Sequence, residues 1–101
     1  MNKNIAVIGS GSWATAIVKI LCNNSDSINW YYRHQADVDF VKKYNHNPRY
    51  LSSVSFDLTK LNLSSNLQET IEKANIIILA VPSAFINDTL KNIPAESFKH
   101  K

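Results

Sequence analysis

The sequence has little cysteine, little glycine and no long hydrophobic run, and each shortage narrows the classes of protein it can belong to. Its one cysteine, Cys22, excludes an intrachain disulfide framework and suits a reducing compartment. No apolar run is long enough to span a bilayer and no secretory leader opens the chain, so we expect a cytoplasmic protein without membrane insertion. The net charge is +3 and the lysines are dispersed, which predicts no nucleic-acid partner. The histidines His46 and His100 are isolated, which predicts no metal site.

Both glycines of the chain fall in one hexad, from Gly9 to Ala14. The β-branched run Ile5–Ile8 precedes it and is typical of a buried strand. Apolar residues recur after it at helical spacing, at Ala14, Ile17, Val18 and Leu21. A strand, a G-x-G-x-x-A turn and a helix together form the dinucleotide-binding motif.

Each position of this motif has a physical role. Gly9 allows the strand to turn sharply, Gly11 lets a pyrophosphate approach the main chain, and Ala14 lets the helix pack on the sheet. The first helical turn would present unpaired N–H groups and a partial positive charge to the phosphates. Ser12 is expected either to cap that turn or to donate its hydroxyl to the ligand. The alternative is a tight strand–helix connection that binds nothing.

Strands and helices are predicted to alternate along the rest of the chain. Continuous hydrophobicity in 76–81 predicts a strand that is covered on both faces. The predicted elements are a strand at 28–32, a helix at 36–44, a short strand near Val54–Phe56, a helix begun by a Ser65–Gln68 capping box, the strand at 76–81, and a helix from Ser83 to about Asn92. The fold class is therefore α/β, with a Rossmann-type parallel sheet and flanking helices.

Length limits how much of that fold is present. A complete doubly wound dinucleotide domain takes about 150 residues or more. The chain has room for the first mononucleotide-binding half and part of the second, so we expect an incomplete, truncated domain over residues 1–101.

The end of the second strand favours NADP over NAD. NAD-specific domains carry Asp or Glu there, about twenty residues beyond the motif. This chain instead has Arg33, nineteen residues after Ala14, in a sequence with nine lysines and only two arginines. A guanidinium can pair with a 2′-phosphate, and His34 can add a donor. NADP (NADPH) is therefore preferred and NAD is possible, with a solvated arginine at a strand end as the alternative.

Four sequence motifs together resemble NAD(P)-dependent glycerol-3-phosphate dehydrogenase, over Asn4 to about Ile93. They are Gly-Ser-Gly-Ser-Trp-Ala-Thr-Ala from Gly9, Trp30 with Arg33, Asn47-Pro48-Arg49-Tyr50-Leu51, and Ala80-Val81-Pro82-Ser83. The resemblance implies hydride transfer between a nicotinamide cofactor and the pair dihydroxyacetone phosphate and glycerol 3-phosphate, which in bacteria supplies phospholipid synthesis. It also implies that residues 1–101 are the N-terminal NAD(P)-binding domain, with a C-terminal helical substrate domain absent.

The resemblance implies the following cofactor contacts. Ser12 and Trp13 would lie beside the pyrophosphate, Arg33 and His34 would hold the 2′-phosphate, and Tyr50 would reach the cofactor from its loop. Val81, Pro82 and Ser83 would line the nicotinamide side. The full set of expected cofactor-binding residues is Gly9, Ser10, Gly11, Ser12, Trp13, Ala14, Arg33, His34, Tyr50, Val81, Pro82 and Ser83.

The sequence departs from the family pattern in three places. Ala14 and Ser52 stand where the family commonly has glycine and proline. The family's Lys-Gly motif is not reached, so no catalytic residue is expected here, and none of Lys91, Lys99 and Lys101 fills that role. For the full-length protein the resemblance implies a small phosphate substrate, and we expect a homodimer.

Two other functions remain open at this point. A non-catalytic nucleotide-sensing Rossmann module would explain a short chain, although such modules usually keep an acidic residue where Arg33 stands. Another NADP-dependent dehydrogenase, such as a ketopantoate reductase or a sugar-acid dehydrogenase, shares the architecture. Trp13 and the Tyr50 loop weigh against this other dehydrogenase.

Overall fold

The computed structural model describes residues 4–25, 27–48, 55–91 and 93, and this part of the chain contains four parallel strands. They are β1 (Ile5–Ile8), β2 (Ile28–Tyr31), β3 (Leu61–Ser64) and β4 (Ile76–Leu79). The strands form one sheet in the order β3-β2-β1-β4, with every pairing parallel. The predicted Rossmann-type parallel sheet is confirmed.

Helices connect and flank these strands. They are α1 (Ser12–Leu21), α2 (Gln35–Tyr44), α3 (Leu67–Glu72) and α4 (Ile86–Leu90), with 3-10 turns at Leu58–Lys60 and Ser83–Phe85. Both α1 and α3 contact β1 and β2, while α2 contacts β3. Of the helices in the described ranges, none is long and apolar enough to cross a membrane.

Trp30 lies at the centre of the core and is completely buried. Its ring lies 4.7 Å from that of Tyr32 and 5.2 Å from that of Phe56, measured between centroids. Phe56 belongs to the irregular segment before β3, and that segment is tied to the end of α1 by two lysines. Lys19 Nζ donates to the Ser55 carbonyl at 2.7 Å, and Lys60 Nζ donates to the Cys22 carbonyl at 2.9 Å. A cation at the carboxyl end of α1 also offsets the helix dipole.

The third strand is not where the sequence pattern predicted it. Phe56 lies in irregular structure and fills the core as a loop residue, while Val54 lies outside the described residues. The strand is β3, where Leu61-Asn62-Leu63-Ser64 does alternate apolar and polar residues, but over only four positions beside further Ser and Asn residues, so the run is too short to stand out as a strand.

The start of α3 also differs from the prediction, and the Ser65–Gln68 capping box is wrong. Asn66 is the N-cap, and its Oδ1 accepts from the Glu69 N–H at 3.1 Å. Ser65 donates instead to Gln35 Oε1, a contact between distant elements that local sequence does not reveal.

The sequence predicts a longer and more deeply buried fourth strand, and a longer helix after it, than the structure has. Ile76 is 38% exposed and the other residues of β4 are only partly buried, so the expectation of two covered faces is wrong. In the described sheet β4 is an edge strand that pairs with β1 on one side. The single helix predicted from Ser83 is a 3-10 turn followed by the short α4, and Asn92 lies outside the described residues.

Gly9 makes the turn from β1 toward α1, as predicted. Its φ of 126° lies in the left-handed region that favours glycine. A Cβ at this position would overlap the carbonyl group of Ala80 and contact Val81. The Ala80 N–H donates to the Ile8 carbonyl at 2.8 Å, which holds the end of β4 against β1. The backbone therefore leaves no room for a side chain at Gly9.

Replacing Gly9 with alanine is expected to lower the free energy of unfolding by about 3 kcal/mol, because backbone strain adds to the overlap with Ala80. Gly11→Ala is the matched control, since Gly11 has a φ of −75° and an added Cβ would meet no atom within 4 Å. The control is expected to lose less than about 1 kcal/mol. Urea unfolding followed by circular dichroism measures both changes, and equal losses would contradict the prediction.

Candidate functional site

The candidate site lies where the order of strands reverses. The chain passes from β1 outward through β2 to β3 and then crosses to the other side of β1 for β4. In open parallel sheets, ligands bind outside the carboxyl ends of the strands at such a reversal. The segment Gly9–Gly11, named here the phosphate loop, occupies that position between β1 and α1.

Three consecutive carbonyl groups of the phosphate loop accept hydrogen bonds from side chains of the protein. The Gly9 carbonyl accepts from Trp30 Nε1 at 2.8 Å, and the Ser10 carbonyl accepts from Asn47 Nδ2 at 3.0 Å. The Gly11 carbonyl accepts from Thr15 Oγ1 at 2.7 Å and from the Thr15 N–H at 3.0 Å. Trp30, Asn47 and Thr15 are all buried, so these donors come from the interior.

The orientation of these carbonyls determines where the N–H groups point. In a trans peptide the N–H lies opposite the carbonyl, and the described residues contain no cis peptide bond. The N–H groups of Ser10, Gly11 and Ser12 therefore point away from the three buried donors. The phosphate loop therefore directs its N–H donors toward the side from which a ligand can approach, and its carbonyl acceptors toward the protein interior.

The amino end of α1 adds to this donor set. Gly11 is the N-cap and makes no side-chain cap, so the expectation that Ser12 caps the helix is wrong. Ser12 is instead the first residue of α1, and its side chain is exposed, so it remains available to a ligand. The first turn of α1 contains no acidic residue, and its partial positive charge is not offset there.

Two adjoining clefts open beside the phosphate loop. The first, the arginine cleft, has a volume of about 460 Å³ and is lined by Gly9, Ser10, Tyr31 and Arg33 together with Phe85, Asp88 and Thr89. The second, the tryptophan cleft, has a volume of about 560 Å³ and is lined by Gly11, Ser12, Trp13 and Ala14 together with Leu79, Ala80 and Ile86. Val81 and Pro82 line both clefts.

The structure thus brings together most of the residues that the sequence singled out. Arg33 and Trp13 lie in the two adjoining clefts, and Trp13 is 63% exposed. His34 is exposed and serves as the N-cap of α2, and it is not among the residues lining either cleft. Ser83 begins the 3-10 turn after β4, and Tyr50 lies outside the described residues.

Asn47, Phe85 and Asp88 are among the residues of the site to which the sequence assigned no role. Asn47 follows α2 and looks like any polar loop residue, because nothing local reveals that it is buried. Phe85 is 57% exposed and Asp88 lies on α4, and both enter the arginine cleft because the chain turns back after β4. Together with Arg33, an aromatic ring and a carboxylate give this cleft a mixed chemical lining.

Arg33 and Asp88 are exposed in the arginine cleft, whereas Asp37 is buried and acts on the phenol of Tyr32, whose pKa it helps to raise. Burial raises the pKa of Tyr32 well above its usual value, against the opposing effect of its hydrogen bond with Asn47, so this phenol stays protonated. Burial also raises the pKa of Tyr31, and the Arg33 guanidinium opposes that rise. Among the described residues, no three His, Cys, Asp or Glu side chains are grouped as metal ligands would be.

Known proteins are similar to this chain in sequence and in fold. The sequence model of the family described as NAD-dependent glycerol-3-phosphate dehydrogenase N-terminus matches residues 4–101. A glycerol-3-phosphate dehydrogenase (NAD(P)+) of Staphylococcus carnosus is 30% identical over 92 residues, which are 91% of this chain and 27% of the relative. One of Xanthomonas campestris pv. campestris is 34% identical over 89 residues, covering 88% and 26%. The chain therefore spans little more than a quarter of these relatives, 26–27% of their length.

Solved structures agree with the fold. The crystal structure of glycerol-3-phosphate dehydrogenase from Coxiella burnetii superposes with a TM-score of 0.74 at 28% identity, covering 93% of this chain and 30% of that protein. A diketoreductase structure gives a TM-score of 0.52 at 14% identity, covering 95% and 40%, and shares the fold alone.

The buried donor Trp30 can be tested independently of any ligand. Trp30→Phe removes the N–H that reaches the Gly9 carbonyl, and it is expected to lower the free energy of unfolding by about 2 kcal/mol because a buried acceptor loses its partner. Trp13→Phe is the control, since Trp13 is largely exposed, and a change below about 0.5 kcal/mol is expected. Urea unfolding measures both, and a Trp30→Phe chain as stable as the unmodified one would exclude this bond as a support of the loop.

Proposed function

The chain belongs to the family of NAD-dependent glycerol-3-phosphate dehydrogenase N-termini, and on this premise we propose that it binds a nicotinamide dinucleotide. It is then the cofactor-binding part of an enzyme that interconverts dihydroxyacetone phosphate and glycerol 3-phosphate. The observation that carries the proposal is the phosphate loop, whose three carbonyls are held by buried donors while its N–H groups point away from them. We place this enzyme in the cytoplasm, as a source of glycerol 3-phosphate for lipid synthesis.

The residues present fit a dinucleotide. The pyrophosphate would accept hydrogen bonds from the N–H groups of the phosphate loop and the first turn of α1. Gly11 is the point of closest approach, because the space where its Cβ would stand is open. Ser12 would contribute its hydroxyl from the same turn.

The arginine cleft is the proposed place of the adenosine half. Arg33 would pair with a 2′-phosphate, which supports NADP as the preferred cofactor. Phe85 offers an exposed ring on which an adenine can stack. Asp88 lines the same cleft and is an acceptor suited to a ribose hydroxyl, so the lining also accommodates NAD.

The tryptophan cleft is the proposed place of the nicotinamide half. Trp13, Val81 and Pro82 give it a largely apolar lining that excludes water from one side of the ring. The cofactor itself supplies the hydride, and the contribution of this chain is to bind and orient it. We assign no catalytic residue to residues 1–101.

Replacing Arg33 with alanine is expected to weaken the binding of NADPH much more than that of NADH. The binding free energy of NADPH should fall by about 1.5–3 kcal/mol, because one charged hydrogen bond to the 2′-phosphate is lost. Isothermal titration of the chain with each cofactor measures the difference. Lys42→Ala is the control for the loss of one positive charge, since Lys42 is exposed near the end of α2 and does not line either cleft.

Gly11→Val completes that experiment. A branched side chain would fill the open space at Gly11, so both cofactors should be lost together without loss of the fold. Equal weakening of NADPH and NADH by Arg33→Ala would refute the assignment of Arg33 to the 2′-phosphate. Retained binding by Gly11→Val would mean that the phosphates bind elsewhere.

Activity distinguishes the dehydrogenase from the alternatives. The protein expressed from the complete reading frame that carries this chain is expected to oxidise NADPH on addition of dihydroxyacetone phosphate, followed by absorbance at 340 nm. Oxidation with ketopantoate instead would indicate the other dehydrogenase. NADPH binding without oxidation by either substrate would indicate a sensing module.

A further inference from the structure

We propose that Asn47 is a positioning residue for the phosphate loop, fixing the peptide that carries the Gly11 N–H in the orientation that a pyrophosphate needs. This inference rests on the proposed function and adds a residue that none of the expected cofactor contacts includes. The inference rests on the hydrogen bonds of the buried Asn47 side chain. Asn47 belongs neither to the phosphate loop nor to β1 and α1, which flank that loop.

The amide of Asn47 is nearly inaccessible to solvent, with 1% of the residue exposed. Its Nδ2 lies 3.0 Å from the Ser10 carbonyl, 3.1 Å from Thr15 Oγ1 and 3.1 Å from the Tyr32 hydroxyl. An amide nitrogen carries two hydrogens, so three acceptors share them. Asn47 thereby connects the phosphate loop, the first turns of α1 and the end of β2 through one group.

Of the three donors, Asn47 alone belongs to neither a strand nor a helix, since Trp30 lies in β2 and Thr15 in α1. Thr15 belongs to α1 and satisfies a carbonyl four residues back, as the helix itself does. Asn47 is 37 residues from Ser10 and follows the end of α2. Asn45 adopts a left-handed conformation there, with a φ of 66°, and turns the chain out of the helix. This backbone turn brings Asn47 beneath the phosphate loop.

The Ser10 carbonyl and the Gly11 N–H are the two ends of one peptide group. While Asn47 holds the carbonyl, the N–H is fixed on the opposite side, and rotation of the peptide would cost the buried hydrogen bond. Without Asn47 the Ser10 carbonyl loses its buried donor, so this peptide can rotate at lower cost between neighbours that Trp30 and Thr15 still hold, and the Gly11 N–H is less well aligned with the ligand. Ligands that reach only the arginine cleft do not use this N–H and should not respond.

Asn29 provides a matched control for a merely structural effect. It is also a buried asparagine, 4% exposed, and its Nδ2 also donates to a main-chain carbonyl, that of Ile5 at 3.4 Å. Ile5 begins β1, at the end of the strand opposite the phosphate loop. Asn29→Ala therefore removes a similar buried side chain from β2 without touching the site.

The experiment compares Asn47→Ala, Asn29→Ala and the unmodified chain, each titrated calorimetrically with NADPH and with adenosine 2′-phosphate. The titrations are made at a temperature where melting curves show every variant folded. Asn47→Ala is expected to weaken the binding of NADPH about tenfold and that of adenosine 2′-phosphate less than about twofold. The reason is that the hydrogen bond that aligns the Gly11 N–H is lost. Asn29→Ala is expected to change neither by more than about twofold.

A second measurement does not depend on the variants folding. In nitrogen-15 NMR spectra of the unmodified chain, NADPH is expected to shift the side-chain amide signals of Asn47 and to leave those of Asn29 in place. The reason is that phosphate binding at the Gly11 N–H polarises the peptide whose carbonyl Asn47 holds.

The outcomes separate the two proposals. An Asn47→Ala chain that binds NADPH normally, or that loses NADPH and adenosine 2′-phosphate equally, overturns the positioning role while the proposed function stands. Equal losses in Asn29→Ala, or unshifted Asn47 signals on binding, overturn it as well. An unmodified chain that binds no NADPH overturns the proposed function itself.

Discussion

The arrangement of this molecule depends on hydrogen bonds that run from its interior to the main chain of one three-residue loop. Carbonyl groups at the edge of a core must find donors, because an unpaired buried acceptor is costly. Here Trp30 of β2, Thr15 of α1 and Asn47 of the loop after α2 supply those donors. Since each peptide has only two polar ends, satisfying the carbonyls from inside leaves the N–H groups for whatever binds outside.

The same bonds join stability to ligand binding. Trp30 is the centre of the aromatic core, in contact with Tyr32 and Phe56, and its indole N–H also reaches the Gly9 carbonyl. Gly9 in turn has no room for a side chain because the end of β4 passes beside it. The core and the phosphate loop are therefore one packed unit.

Sequence reasoning recovered the parts of this arrangement that local pattern determines. The glycine motif, the buried strand β1 and the position of Arg33 all follow from residue type and spacing, and the sheet followed from the alternation of strands and helices. What it missed depends on contacts between distant segments. Asn47 is indistinguishable from a solvated loop residue until the turn at Asn45 is known. Phe56 was assigned to a strand because loops that fill a core are also apolar. Asp88 enters the site only through the turn after β4.

The outer side of β4 has a consequence for how the described sheet can be extended. In the described sheet no strand pairs with that side, and Ile76 lies partly exposed on the same strand. Main-chain donors and acceptors along a bare apolar edge act as a template for adding another strand. Within the described sheet β4 is thus an edge at which a further strand can be added, and a charged substitution at Ile76 would act as a gatekeeper against such pairing.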